Sequence, residues 1–247
     1  MFGANTISSL YDDVLAVVYP QVCSVCEGSV ESRFEGVACA GCWGETRVFT
    51  AADNLCWQCG ALTLGTLAEE SREQVRCRRC DEAAFTAARA CGLYQGALRA
   101  VVIELKRAPH VPRRLVNLMV ETCRRPPLDL TTLIVPVPLH PQREKERGFN
   151  QAAVLARELS RRTGWPVAEN WLVRIAQTER HRAGMDEQAR RESVEHAFAV
   201  SHPRTIAGEH VLLVDDVFTT GATASACARV LLDAGAAAVL VLTIARR

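Results

Sequence analysis

Four CxxC pairs, Cys23/Cys26, Cys39/Cys42, Cys56/Cys59 and Cys77/Cys80, lie between residues 23 and 80 of the chain. A pair at this spacing turns the backbone so that two thiolates face one cation, and two pairs complete a tetrahedral set. The eight cysteines therefore predict two closed zinc sites, structural because no ligand position is left open. Twelve residues separate the first two pairs and seventeen the last two. That spacing favours sequential grouping, with a crossed grouping as the alternative. Gly60, directly after Cys59, leaves room for backbone amides to approach the sulfurs. Arg72, Arg76, Arg78 and Arg79 crowd the last pair, either as a solvated charged loop or as a surface for nucleic acid phosphates. Cys91, Cys123 and Cys227 stand alone at apolar positions and read as core thiols.

A second constellation is VLLVDDVFTTGATAS, residues 211–225. An apolar strand carries Asp215 and Asp216 to the carboxyl edge of a sheet, where open α/β folds place ligands. The turn that follows opens a helix. Its free amides, with the hydroxyls of Thr219, Thr220 and Thr223, suit a phosphate monoester, and Gly221 permits close backbone approach. No lysine lies in the turn, which excludes the GxxxxGK[ST] nucleotide loop. Carboxylates beside a phosphate cradle repel the phosphate unless they address something neutral one sugar away. A ribose bearing a 5-phosphate meets both demands.

The elements that must position these groups follow from the apolar pattern. Strands are expected at 88–94, 132–139, 171–175, 197–200, 210–216 and 238–245. Helices are expected at 97–106, 113–124, 151–163 behind an Asn150 cap, and 223–234 with Gly235 closing it. A helix at 6–18 ends at Pro20. Strands alternating with helices give an α/β class with a mostly parallel sheet flanked by helices. The expected organisation is an N-terminal helix over 1–20, a double zinc ribbon over 21–85 and an α/β domain over 86–247. The ribbon is expected to unfold alone when zinc is removed.

The 247 residues carry 29 basic and 28 acidic side chains and are 49% hydrophobic, so no global charge steers the chain to nucleic acid or membrane. Any basic site is local. No apolar run reaches the length of a membrane span, and Asp12 and Asp13 replace the basic flank of a signal peptide. A cytoplasmic chain with reduced cysteines is the expectation. Lys106 and Lys145 are the only lysines.

VLLVDDVFTTGAT resembles the signature of type I phosphoribosyltransferases, which bind phosphoribosyl pyrophosphate (PRPP). With VPVPLHPQREKERGFNQA (135–152), Tyr94, Gly96, Leu105-Lys106 and the cysteine pairs, the chain resembles the ComF family over nearly its whole length. The resemblance implies a type I phosphoribosyltransferase-like fold. Asp215 and Asp216 would then bind the ribose hydroxyls, within a PRPP-binding set of Val214 to Asp216 and Thr219, Thr220, Gly221, Ala222 and Thr223. Lys106, Arg143, Lys145 and Arg147 become the candidates to meet the pyrophosphate, accompanied by Mg²⁺. Reaction would transfer phosphoribose to an acceptor, with Asp215 and Asp216 favouring the positively charged sugar. The family is linked to DNA uptake, which makes single-stranded DNA and uptake-machinery proteins candidate partners. In the region expected to close over PRPP, the family's usual Gln and Asn are Arg182 and Ser193 here, while Arg190 or Arg191 keeps the basic character.

Overall fold

The structure is a computed structural model and describes residues 21–32, 36–63, 75–80, 83–175 and 197–247. The helix expected at 6–18 and the segment carrying Arg182, Arg190, Arg191 and Ser193 lie outside the described residues, as does Arg72.

A short hairpin, β1 (Gln21–Val22) and β2 (Ser29–Val30), and the helix α1 (Ala40–Glu45) frame the first cysteine pairs. The main sheet then begins. β3 (Ala87–Leu93) is followed by α2 (Gly96–Leu105) and α3 (Arg113–Cys123), then β4 (Leu133–Pro136), α4 (Pro141–Arg147) and α5 (Gln151–Thr163). A two-stranded antiparallel pair, β5 (Leu172–Arg174) and β6 (Phe198–Val200), precedes β7 (His210–Phe218), α6 (Ala222–Asp233) and β8 (Ala238–Arg246). The four long strands run parallel in the order β3-β8-β7-β4.

Parallel strands covered on both faces are apolar at every position, and their alternation assigns each residue to one layer. Leu212, Val214, Leu240, Leu242 and Ile244 pack with Leu98 and Leu105 of α2, Leu115 and Met119 of α3, and Leu155 and Leu159 of α5. Val211, Leu213, Val239 and Val241 face the other way, onto Cys227 and Leu231 of α6, Phe198 and Ile206. The same alternation sends Asp216 toward the first layer and Asp215 toward the second.

The expected helices form within a residue or two of their predicted bounds. Asn150 caps α5, its Oδ1 accepting from the Ala152 amide at 3.0 Å. Cys91, Cys123 and Cys227 are buried, as core thiols should be. β4 is shorter than expected. Pro136 and Pro138 limit its ladder, although Val137 N still donates to Val214 O at 2.9 Å. The helix α4 was not anticipated. It has seven residues, Pro141 at its first turn, Gly148 in the left-handed region at its end, and no buried residue. A short charged helix shows no apolar period to read.

The ribbon is joined to the sheet more closely than composition implies. Phe49 N donates to Cys91 O at 2.8 Å and Leu93 N to Arg47 O at 3.0 Å, so residues 47–49 run antiparallel beside β3. Cys23, Val30, Ala38, Cys42 and Trp43 belong to the same buried cluster as α2 and the sheet. A module whose apolar side chains complete a neighbour's core exposes that core when it leaves, which argues against independent unfolding of the ribbon.

Candidate functional site

Two cysteine quartets assemble, Cys23, Cys26, Cys39, Cys42 and Cys56, Cys59, Cys77, Cys80, with all sulfurs of each within 4.8 Å of one another. Grouping is thus sequential. In the first, Cys23–Cys42 and Cys26–Cys39 are each 3.7 Å apart; in the second, Cys56–Cys80 and Cys59–Cys77 are each 3.6 Å. A tetrahedron with Zn–S bonds of about 2.3 Å has edges of about 3.8 Å, so both quartets have the dimensions of a zinc site. The Cys39 amide donates to Cys23 Sγ and the Cys77 amide to Cys56 Sγ, both at 3.3 Å. Such bonds stabilise thiolates.

Charge supplies a second test of fit. The Cys59 thiol, as a hydrogen-bond donor, brings Cys56 down to about 4, while Cys59 is itself pushed far up by the same hydrogen bond. Four neighbouring sulfurs cannot all ionise without a cation among them. Close by, the buried Arg89 donates to Trp57 O at 2.6 Å, and its guanidinium sits 5.1 Å from the Trp57 ring centre. Desolvation pulls Arg89 down to about 10, opposed by the Cys56 and Cys59 sulfurs. A metal with four thiolates carries net negative charge and would be the counter-charge this arginine requires.

At the carboxyl edge of β7 the two acids divide their work. Asp215 Oδ1 accepts from the Asp216 amide at 2.8 Å, and Asp216 Oδ2 lies 3.2 Å from Lys106 Nζ at the end of α2. Desolvation pushes Asp215 up to about 8, the Asp216 charge adding to it and Lys106 opposing. In its ionised form this carboxyl accepts hydroxyl donors, and each such donor favours ionisation.

Beside Asp215 lies a recess of about 40 Å³, lined by Val137, Phe218, Thr219, Gly221, Ala222 and Thr223 among others. Gly221 has φ of +82° and stands where the helix cap would be, with no side chain to occupy the first-turn amides of α6. A Cβ at this position would meet the Phe218 ring at 2.8 Å. Thr220 is exposed, outside the recess lining, and its hydroxyl accepts from Ala222 N at 3.4 Å. Val214 is fully buried, so its side chain faces the core and its carbonyl is already taken by Val137 N.

A cleft of about 430 Å³, joined to the acids through Lys106, is lined by Lys106, Arg107, Arg143, Glu146 and Arg147. The helix α4 explains the choice of residues. At 100° per residue, Arg143, Glu146 and Arg147 share one face, while Lys145 lies opposite Arg143. Lys145 is exposed and absent from the cleft lining, which removes it from the group that converges there. Arg147 donates to the buried Gln151 through its Nη1, and Asn150 Nδ2 holds Val137 O at 3.0 Å. One motif thus positions the basic face and the loop after β4 together. Arg107 was missed from the sequence. In an arginine-rich chain another arginine beside Lys106 carries no distinguishing signal.

A family model described as "Phosphoribosyl transferase domain" matches residues 145–247. The "DNA utilization protein YhgH" of Salmonella typhi is 30% identical over 242 residues, 94% of this chain and 93% of that protein. "Competence protein F" of Haemophilus influenzae is 35% identical over 135 residues, 54% of this chain and 58% of its own. Among solved structures, a glutamine PRPP amidotransferase from B. subtilis, complexed with ADP and GMP, is 18% identical. It matches 53% of this chain and 25% of that chain with a TM-score of 0.36.

Proposed function

The chain belongs to the ComF family, joining two cysteine quartets to a type I phosphoribosyltransferase domain, and from that premise we propose that it binds PRPP. One observation carries the reading. Asp215 lines the recess beside the Thr/Gly turn, and Asp216 pairs with Lys106, which lines the cationic cleft, so the two acids link recess and cleft. That is the order of phosphate, ribose diol and pyrophosphate in PRPP.

The turn amides and Thr219 and Thr223 would take the 5-phosphate, the two carboxylates the ribose hydroxyls, and Lys106, Arg107, Arg143 and Arg147 the pyrophosphate. The chemistry supported is transfer of phosphoribose. The bond from the anomeric carbon to pyrophosphate breaks as an acceptor nucleophile closes on that carbon, and Asp215 and Asp216 lower the energy of the positive sugar between them. The cleft cations stabilise the charge on the departing pyrophosphate. Mg²⁺, bound with the pyrophosphate, would neutralise part of the same charge. Calorimetry with PRPP and Mg²⁺ tests binding. Saturable heat that disappears in Asp215→Ala/Asp216→Ala supports the reading, and indistinguishable traces for the two proteins overturn it. PRPP-dependent pyrophosphate release across a panel of amines and bases tests the transfer.

We assign Zn²⁺ to both quartets, which predicts two equivalents per chain by elemental analysis, with one or none contradicting it. A role in the use of external DNA is favoured by the names of the relatives and by Arg76 and Arg78, exposed around Cys77. Retention of a single-stranded oligonucleotide that weakens steeply with salt supports it; no retention at low salt opposes it.

A further inference from the structure

The second cysteine quartet reaches the phosphate turn by two routes. The first starts at Cys59. Its carbonyl accepts from Arg246 Nη1 at 2.5 Å, and the same nitrogen is 3.9 Å from Cys59 Sγ. Arg246 ends β8 opposite Phe218, the last residue of β7, and its guanidinium lies 5.3 Å from the Phe218 ring centre. Phe218 lines the phosphate recess and is the side chain against which Gly221 turns.

The second route starts at Cys80. Its carbonyl accepts from Ala83 N at 3.0 Å, and Gln58, between Cys56 and Cys59, donates through Nε2 to Ala83 O at 3.0 Å and to Phe85 O at 3.2 Å. From this strap Ala84 N donates to Ser225 Oγ at 2.9 Å, and Ser225 N closes back on Gly221 O at 2.8 Å. Phe85, buried, meets Phe218 edge to face at 5.8 Å. The turn at Cys59 is itself fixed to the sheet: Gly60 has φ of +69°, a Cβ there would lie 2.5 Å from Ala88 O, and Ala88 N donates to Gln58 O at 2.6 Å.

The first quartet makes different attachments. From Cys42 the chain passes to Thr46, whose hydroxyl accepts from Ala97 N at 2.9 Å at the start of α2, and on to the edge of β3. Its described bonds lead to α2 and β3 and not to the phosphate turn.

We propose that Arg246, Phe85 and Ser225 are positioning residues through which the second quartet, and not the first, sets the phosphate turn, so that metal held there and phosphate bound at Thr219–Thr223 stabilise one another. The inference rests on reading that turn as the 5-phosphate site. Phe85 of the strap and Arg246 of β8, each tied by hydrogen bonds to the second quartet, both contact the Phe218 ring. Loss of the metal frees Cys59 and Cys80, and with them the ring and the Gly221 cap. Linkage requires the converse: phosphate in the turn must slow opening of the second quartet.

The test uses the full-length zinc-loaded chain and ribose 5-phosphate as the probe, with its binding followed by calorimetry. In parallel, N-ethylmaleimide labelling in the presence of a chelator is mapped by peptide mass analysis. Saturating ribose 5-phosphate is expected to slow labelling of Cys56, Cys59, Cys77 and Cys80 about fivefold or more, leaving Cys23, Cys26, Cys39 and Cys42 unchanged. Arg246→Met is expected to lose most of that difference and to bind the probe more weakly, and Arg246→Lys, which keeps a donor for Cys59 O, to recover part of both. Ser225→Ala, which leaves the quartet untouched, should reduce the difference on its own. Equal protection of both quartets, or of neither while calorimetry shows the probe bound, overturns the proposal. Absence of probe binding in the wild type overturns the phosphate reading and this inference with it.

Discussion

Asp215 is the residue at which chemistry and stability meet. Its carboxyl is raised to about 8 from an ordinary 3.8, chiefly by desolvation. Between those values the folded chain holds a proton that the unfolded chain has released, so stability falls as pH rises through that window. Asp215→Asn, which keeps the shape and removes the titration, is expected to flatten the dependence of the denaturant midpoint on pH between about 4 and 8. A parallel dependence in the variant would contradict this. Ligand reverses the preference. Ribose hydroxyls donate to the ionised carboxylate, so binding should release a proton below pH 8, measurable as a buffer-dependent heat that Asp215→Asn lacks. Lys106 holds Asp216 at 3.2 Å and lines the cleft, so a pyrophosphate bound there would compete with Asp216 for the same ammonium.

At the scale of elements, the helix α4 makes a directional prediction. Arg143→Ala and Arg147→Ala should each weaken PRPP binding about tenfold, in line with loss of a hydrogen bond to a charged group, while Lys145→Ala leaves it unchanged. Ribose 5-phosphate, without the pyrophosphate, should bind all three variants equally. Calorimetry with both ligands separates these outcomes. The strands were legible because buried parallel strands are unbroken apolar runs, as in residues 211–214, and α5 because an asparagine cap precedes a clear apolar stripe. The acids and the Thr/Gly turn could be located because residue type and spacing single them out, and Asp215, Thr219, Gly221 and Thr223 do line one recess. Illegible were α4, which is short and charged throughout, and every feature depending on distant pairing. The Val48–Gly92 bridge and the Cys59–Arg246 bond join residues with no common local pattern. The converging face of Arg107, Arg143 and Arg147 is of the same kind, since it depends on where α2 and α4 end.

For the whole molecule, the shared core would carry the stabilisation from metal at the first quartet into the sheet and its helices. Cys42 O accepts from the Thr46 hydroxyl at 2.7 Å, that hydroxyl receives the Ala97 amide, and Arg114 sits over Trp43 at 5.0 Å. Stripping both metals is expected to lower the thermal midpoint of the entire chain by about 10 °C or more in a single transition. Separate transitions, with the sheet melting at its original temperature, would show that the two parts are uncoupled. Among the described residues no helix is long and apolar enough to cross a membrane.

The strand order carries a consequence for synthesis. β8 comes last in chain order among the strands but lies between β3 and β7, so those two strands have no shared neighbour until it arrives. The cysteine quartets, by contrast, close over short stretches of chain and can form as soon as metal is present. A nascent chain paused before residue 238 would hold a finished ribbon against one side of β3 and an open ladder on the other, the state in which a strand recruits a wrong partner.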